Sequence, residues 1–233
     1  MALDDGRGAP ASRQGIPPGF LATLPPEAAE RLLAEAIGLD VPAGGTVYRD
    51  EERGQAIIVL QGLLRLYMSA PDGRQVTVRY ARAGDVVGLA IVIGGPAPVT
   101  IQALTAASVL ALRIDVLRAL LERDPRVARA CAQELAHELF RAFDEIADQA
   151  FLSVRQRVAR QLLDLATQAE DGTLVARVSQ QELADAVASG REVVSRALRE
   201  LREAGHVTST RRGIVIRDPL ALSDETRSTP GGW

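Results

Sequence analysis

The sequence predicts an α+β chain: an antiparallel sandwich or barrel first, then one long helix, then a winged helix-turn-helix. Three observations carry this prediction. Short apolar strands broken by glycine-containing turns run from about Leu39 to Leu112. Ala128, Ala132, Leu135, Leu139, Ala142 and Ile146 recur at heptad spacing. A capping box, a glycine turn and a second amphipathic helix follow one another between Val178 and Val207.

Composition narrows the function classes. The chain has 233 residues, enough for two domains with cores of their own. Hydrophobic residues make up 47% and charged residues 24%, a globular rather than a disordered balance. A net charge of −3 excludes a uniformly basic nucleic-acid coat, but the charge is uneven. Residues 153–217 hold eleven Arg against eight acidic residues, net +3, which leaves −6 for the rest. This fits a DNA-binding C-terminal domain attached to an acidic partner domain. A single cysteine, Cys131, excludes an intramolecular disulfide framework and a four-cysteine metal or iron–sulfur site. Its small thiol beside the heptad seam reads as buried rather than redox-active. His137 and His206 alone do not make a metal site, and no cofactor is expected. The N-terminus lacks an apolar signal core, so a cytoplasmic location is expected.

Taken in order, residues 1–18 read as a disordered Gly/Pro-rich arm. Leu21 to Ile37 reads as helix, started by Pro25-Pro26-Glu27, with Leu32, Leu33 and Ile37 on its apolar face. The strand pieces are 44–48, 56–60, 63–67 and 76–80, with Asp72-Gly73 as a hairpin turn. Val86 to Leu112 carries no charge, yet Gly94-Gly95-Pro96 and Pro98 argue against a membrane span. Buried strands are expected there, and no membrane partner. The domain boundaries follow: 19–122 for the strand-rich domain, 123–151 for the long helix, 152–219 for the winged helix-turn-helix, and 220–233 for a disordered tail.

Asp124-Pro125 opens the long helix, with proline in its first turn. Its heptad seam reads as a parallel two-helix dimer interface, while Phe140 and Phe143 are expected to pack under the strands. Phe151-Leu152 is the candidate hinge, followed by a helix from Val154 to Ala166 and a short strand at Leu174–Arg177. Ser179 and Glu182 form a capping box. Gly190 is expected to take positive φ in the turn. The second helix buries Val194, Leu198 and Leu201 and ends at Ala204-Gly205. Its opposite face presents Arg191, Glu192, Ser195 and Arg196. Arginine forks onto guanine, and glutamate accepts from cytosine N4. Strands on either side of Arg211-Arg212-Gly213 read as a wing whose arginines would meet phosphates.

Ser-Gly-Arg-Glu-Val-Val-Ser-Arg at 189–196, with the Leu-x-x-Leu-x-x-x-Gly run ending at Gly205, resembles the Crp/Fnr transcription regulators. Leu60-Gln61-Gly62-Leu63-Leu64-Arg65-Leu66 and Gly84-Asp85-Val86-Val87-Gly88 resemble the β-roll of cyclic-nucleotide-binding domains, in the matching order. The resemblance implies a cyclic-nucleotide-binding-like jelly roll ahead of the long helix. It implies that Arg191, Glu192 and Arg196 read a TGTGA-like or TTGA-like half-site. It places Ser179, Gln180 and Gln181 at the DNA backbone, with Ser189 among the DNA-binding residues. The family's cyclic-AMP contacts do not carry over. Leu89 stands at the ribose-binding glutamate, Val99 and Thr100 at the phosphate-binding Arg-Ser pair, and Ala142 and Phe143 at the base contacts. A buried anion without a cationic or dipolar partner is costly, so cyclic AMP is not expected to bind in the family mode. The pocket positions Leu89, Ala90, Val99, Thr100 and Phe143 suit an unidentified apolar effector, or none.

The expected protein is therefore a homodimeric regulator of double-stranded DNA. RNA polymerase would be a further partner if it activates. The alternative is an effector-binding module whose helix-turn-helix contacts protein rather than DNA. An enzyme is not expected, because no nucleophile–base pair, phosphate loop or metal-ligand spacing stands out.

Overall fold

The structure, a computed structural model, describes residues 16–48, 55–73, 75–169, 171–211 and 213–226. Most of the N-terminal arm, Arg212 and the last residues of the tail lie outside the described residues. Two compact units divide the chain: Met1–Ser69 with Val78–Phe140, and Ala70–Thr77 with Arg141–Trp233.

In the first unit, α1 (Phe20–Thr23) and α2 (Pro26–Ala34) precede the sheets. Proline at the first position of α2 has no N–H to leave unsatisfied. Ile37 does not belong to the helix. It is the 49% exposed first residue of β1 (Ile37–Val41), paired with Ala111. The strands β2 (Thr46–Tyr48), β3 (Ala56–Gln61), β4 (Leu63–Ser69), β5 (Gln75–Arg82) and β6 (Val86–Val87) follow. The uncharged stretch then departs from the all-strand expectation: Leu89–Gly94 is a helix, α3. Gly88 before it has φ 92, and a Cβ there would lie 2.4 Å from the Gln55 carbonyl oxygen, so only glycine fits. Strands β7 (Thr100–Ala103) and β8 (Ala107–Leu112) lead to α4 (Ile114–Arg123) and the long α5 (Pro125–Phe151).

The strands form two four-stranded antiparallel sheets, β1-β8-β3-β6 and β2-β7-β4-β5. Ile57, Val59, Val109 and Ala111 of the first meet Leu64, Leu66, Ile101 and Ala103 of the second. Ile58, Leu110 and Leu112 point the other way, into a core shared with α1, α2, α4 and the start of α5. Strands β3 and β8 are thus buried on both faces, so they read as continuous apolar runs rather than alternating ones.

In the second unit, α6 (Val154–Leu165) follows α5 directly. Ser153 caps it reciprocally with Gln156. The unit then contains β9 (Ala166–Gln168), β10 (Leu174–Ala176), α7 (Gln180–Ala186), α8 (Arg191–Glu203), β11 (Val207–Thr210), β12 (Gly213–Ile216) and α9 (Pro219–Glu225). Its sheet has the order β11-β12-β10-β9. The expected disordered tail is helical over α9, where Asp218 caps Ala221 N–H at 2.9 Å and Leu222 is fully buried. The α5–α6 corner is clasped. Arg157 Nη1 donates to the carbonyls of Gln149 (3.1 Å) and Leu152 (3.0 Å), and Arg160 pairs with Asp148 at 2.6 Å. The compact units divide within α5, at Phe140/Arg141, upstream of Phe151-Leu152.

Candidate nucleic-acid interface

The interface is built on α7 and α8. Ser179 Oγ accepts from Glu182 N–H at 3.1 Å, and the Glu182 carboxylate accepts from Ser179 N–H at 2.7 Å. Two of the helix's orphan donors are thereby satisfied. Leu183, Ala184 and Val187 are buried, which fixes the face of α7. The turn differs from expectation. Gly190 is extended, with φ −74, and Ala188 takes the left-handed conformation at φ 49. Ser189 N–H reaches back to the Ala184 carbonyl at 2.9 Å, which places the left-handed residue one step before the serine.

Val194, Ala197, Leu198 and Leu201 of α8 are buried. The helix closes in a Schellman motif: His206 N–H donates to Leu201 O and Gly205 N–H to Arg202 O, both at 3.0 Å. Gly205 has the φ of +80 that this closure demands. With that face sealed, Arg191, Glu192 and Arg196 are exposed and Ser195 is half-buried on the other side. Exposure of two guanidiniums and a carboxylate at a helix N-terminal half allows hydrogen bonding to base edges in a major groove.

Other expected contacts fall around this helix. Ser179 and Gln181 are exposed, Gln180 and Ser189 half-buried. Gln181 Nε2 is tied to Asp185 Oδ1 at 2.8 Å, which orients it along α7. Arg211 is exposed at the wing tip, and Arg212 lies outside the described residues. Sequence reasoning did not find the supports beneath the interface. Arg155 pairs with Glu225 of α9 and approaches Glu200 of α8 at 3.9 Å. Arg202 donates to Leu198 O at 3.2 Å and to Ser209 Oγ at 3.5 Å, so it braces the wing. The Asp-Pro start of α9 was the sequence signal for this support.

The other candidate residues separate. Leu89 is buried in the helix-side core, whereas Val99 packs against the inter-sheet core; the structure does not gather them into one cluster. Ala90 is exposed, and Thr100 is half-buried opposite Tyr67. Along α5, Ala128 and Leu135 are half-buried, Leu135 against the chain's own core. Ala132, Leu139, Ala142 and Ile146 are exposed or partly so, Leu139 and Ile146 at 52% and 64%. Phe140 and Phe143 do not pack under the strands; they are 60% and 53% exposed. Cys131 is buried, and that burial pushes its thiol up to about 11. Among the described residues, no group of three His, Cys, Asp or Glu could hold a metal ion. No described helix is long and apolar enough to cross a membrane.

Comparison with known proteins agrees with this architecture. The cyclic nucleotide-binding domain family matches residues 39–124, and the Crp-like helix-turn-helix domain family matches residues 156–225. The transcriptional regulator LdrP of Thermus thermophilus is 34% identical over 192 residues, 78% of this chain and 93% of its own. A CRP-like cAMP-activated global transcriptional regulator of Mycobacterium tuberculosis is 29% identical over 216 residues, 90% of this chain and 96% of its own. A crystal structure of a CRP-family transcriptional regulator from Thermus thermophilus superposes with a TM-score of 0.70 at 31% identity, covering 81% of this chain and 96% of that one. With a two-sheet domain ahead of the long helix and a helix-turn-helix behind it, the chain belongs to the Crp/Fnr family of DNA-binding transcriptional regulators.

Proposed function

We propose that the chain works as a homodimer that reads a pseudo-palindrome with TGTGA-like or TTGA-like half-sites. One observation carries the reading: Arg191, Glu192 and Arg196 are all exposed on the face of α8 opposite its buried residues. In this reading Arg191 and Arg196 bind guanines, and Glu192 accepts from a cytosine or orients Arg196. Ser179, Gln180, Gln181, Ser189 and Ser195 flank them, and Arg211 and Arg212 hold phosphates. Dimerisation supplies the second half-site about one helical turn away, roughly 34 Å. Leu139, Phe143 and Ile146 on one stripe of α5 are 52%, 53% and 64% exposed, an apolar surface that a second copy would cover.

Cyclic AMP is not the effector in this reading. The Mycobacterium tuberculosis relative is named as cAMP-activated. Here Leu89 stands at the ribose-contact position and is buried in apolar surroundings. An apolar effector, or none, fits Val99 and Thr100 better than a charged one. RNA polymerase is the further partner if the protein activates.

Anisotropy titration of palindromic duplexes tests the reading. Arg196→Ala should lose about 1–3 kcal/mol, roughly 5- to 150-fold, on the matched site and relax preference at one base pair. Equal affinity for scrambled DNA removes the claim of sequence reading. Absence of any retardation at physiological salt would leave the helix-turn-helix to protein contacts. Cyclic AMP should leave the wild-type titration unchanged.

A further inference from the structure

The first turns of α8 hold one apolar side chain that the core does not absorb. Val193 is 42% exposed, whereas Val194, Ala197 and Leu198 are at most 5% exposed. It follows Glu192 directly and precedes Arg196 by three residues, and both of these are exposed. Residues three apart are neighbours on a helix surface, so Val193 borders Arg196. We propose that Val193 reads a thymine: its methyl groups pack on the C5-methyl group of one thymine in each half-site.

The inference rests on the DNA reading above and extends it to a base that arginine and glutamate do not select. Helix stability does not call for valine at this place. A β-branched residue lowers helix propensity, and an exposed position in a first turn suits an acidic side chain better. The core does not call for it either, because Val194, Ala197, Leu198 and Leu201 already seal the inner face of α8. A major groove offers one apolar group on its base edges, the thymine methyl, and apolar side chains are what meet it. Arg191, Glu192 and Arg196 carry groups that specify guanine and cytosine, so a thymine beside those bases is left to an apolar contact. Val193 is ready for that contact. Its N–H is held on the Gly190 carbonyl at 3.0 Å. A helical valine keeps one rotamer about 90% of the time, so ordering it on DNA costs little. Burying one methyl group in this way is worth about fourfold in affinity.

Anisotropy titration of the full chain tests this on a palindrome obtained by selection from random duplexes. Thymines are replaced by deoxyuridine, which lacks only the methyl, one symmetric pair of positions at a time. At one pair the change should cost wild type about fourfold per half-site, roughly 10- to 20-fold in all. Val193→Ala should lose a similar amount on the thymine palindrome and be indifferent to deoxyuridine at that pair. Alanine is the better helix former at an exposed position, so the variant keeps α8. Wild-type binding that no deoxyuridine pair weakens overturns the contact. So does a Val193→Ala protein that loses as much as wild type at the sensitive pair. If selection enriches no palindrome, the DNA reading fails first. If wild type discriminates its palindrome from scrambled DNA and every thymine methyl is dispensable, the methyl contact alone fails.

Discussion

Arg79 Nη1 of β5 and Glu138 Oε1 of α5 meet at 2.6 Å, 59 residues apart in the chain. The same guanidinium donates from Nη2 to the Val86 carbonyl at 3.2 Å. The pair joins the sheet to the long helix within the first unit, with side chains only 17% and 23% exposed. At that burial, removing one partner leaves a charge poorly solvated. Glu138→Leu should therefore cost about 1–3 kcal/mol, visible as a melting-temperature drop of roughly 2–10 °C. The double variant Arg79→Met with Glu138→Leu should recover part of the loss, because no lone charge remains. A double variant that melts as low as the summed single losses would show the pair to be uncoupled.

Cys131 gives a chemical prediction. It lies in the helix-side core, 1% exposed, and desolvation pushes its thiol up to about 11. At pH 8 the thiolate fraction is then far too small for rapid reaction. An aromatic disulfide reagent should leave the native protein unlabelled at pH 8 and titrate one thiol after denaturation. The sign follows from the raised value: as pH rises towards 11 the ionised thiol favours the unfolded chain, so this contribution to stability is lost there. Rapid labelling of the native protein at pH 8 would contradict the burial.

The parts legible in the sequence were those with a local code. Ser179 and Glu182 sit three residues apart, and Gly205 marks the end of α8, so the helix-turn-helix could be read from nearest neighbours. The turn between the helices could not. Its left-handed residue is Ala188, chosen by the reach of Ser189 N–H to Ala184 O, not by where the glycine falls. Helix α3 was hidden because a short uncharged run has no polar face to set its period. Phe140 and Phe143 read as core aromatics under the strands, yet among the described residues they are 60% and 53% exposed. The pairing of Arg79 with Glu138 leaves no trace at any short spacing.

Helix α9 carries the next prediction. Seven residues of modest helix propensity hold their place because Leu222 is fully buried and Glu225 meets Arg155 of α6. Leu222→Ala should cost about 2–5 kcal/mol, the usual range for a buried leucine. The measurement is thermal unfolding of the full chain. A change below about half a kcal/mol would mean that α9 does not belong to the folded unit.

The two classes of arginine at the interface should separate by salt dependence. Arg211 is exposed at the wing tip; if it meets phosphate as proposed, Arg211→Ala should weaken all duplexes alike and reduce the salt slope by about 1. If Arg191 meets a base edge as proposed, Arg191→Ala should cost about 1–3 kcal/mol on the matched site and little on scrambled DNA. If Arg191→Ala weakened both duplexes equally, its role would be electrostatic only.

The apolar stripe on α5 is the surface on which the proposed dimer would form. Ile146 is 64% exposed and Phe143 53%, so aspartate at either position faces water in a lone chain and costs little folding stability. In a dimer built on this stripe the same aspartate would be buried against apolar neighbours, at a cost of several kcal/mol. Sedimentation at micromolar concentration should therefore give twice the 24.9 kDa chain mass for wild type and one chain mass for Ile146→Asp, with equal melting curves at low concentration. The monomeric variant keeps its α8, so it should still bind one half-site. It should lose the gain from joining two half-sites, which can reach about 10²- to 10⁴-fold on the full palindrome. A wild type that sediments as one chain, or an Ile146→Asp variant that stays paired, would show that another surface, or none, joins the two readers.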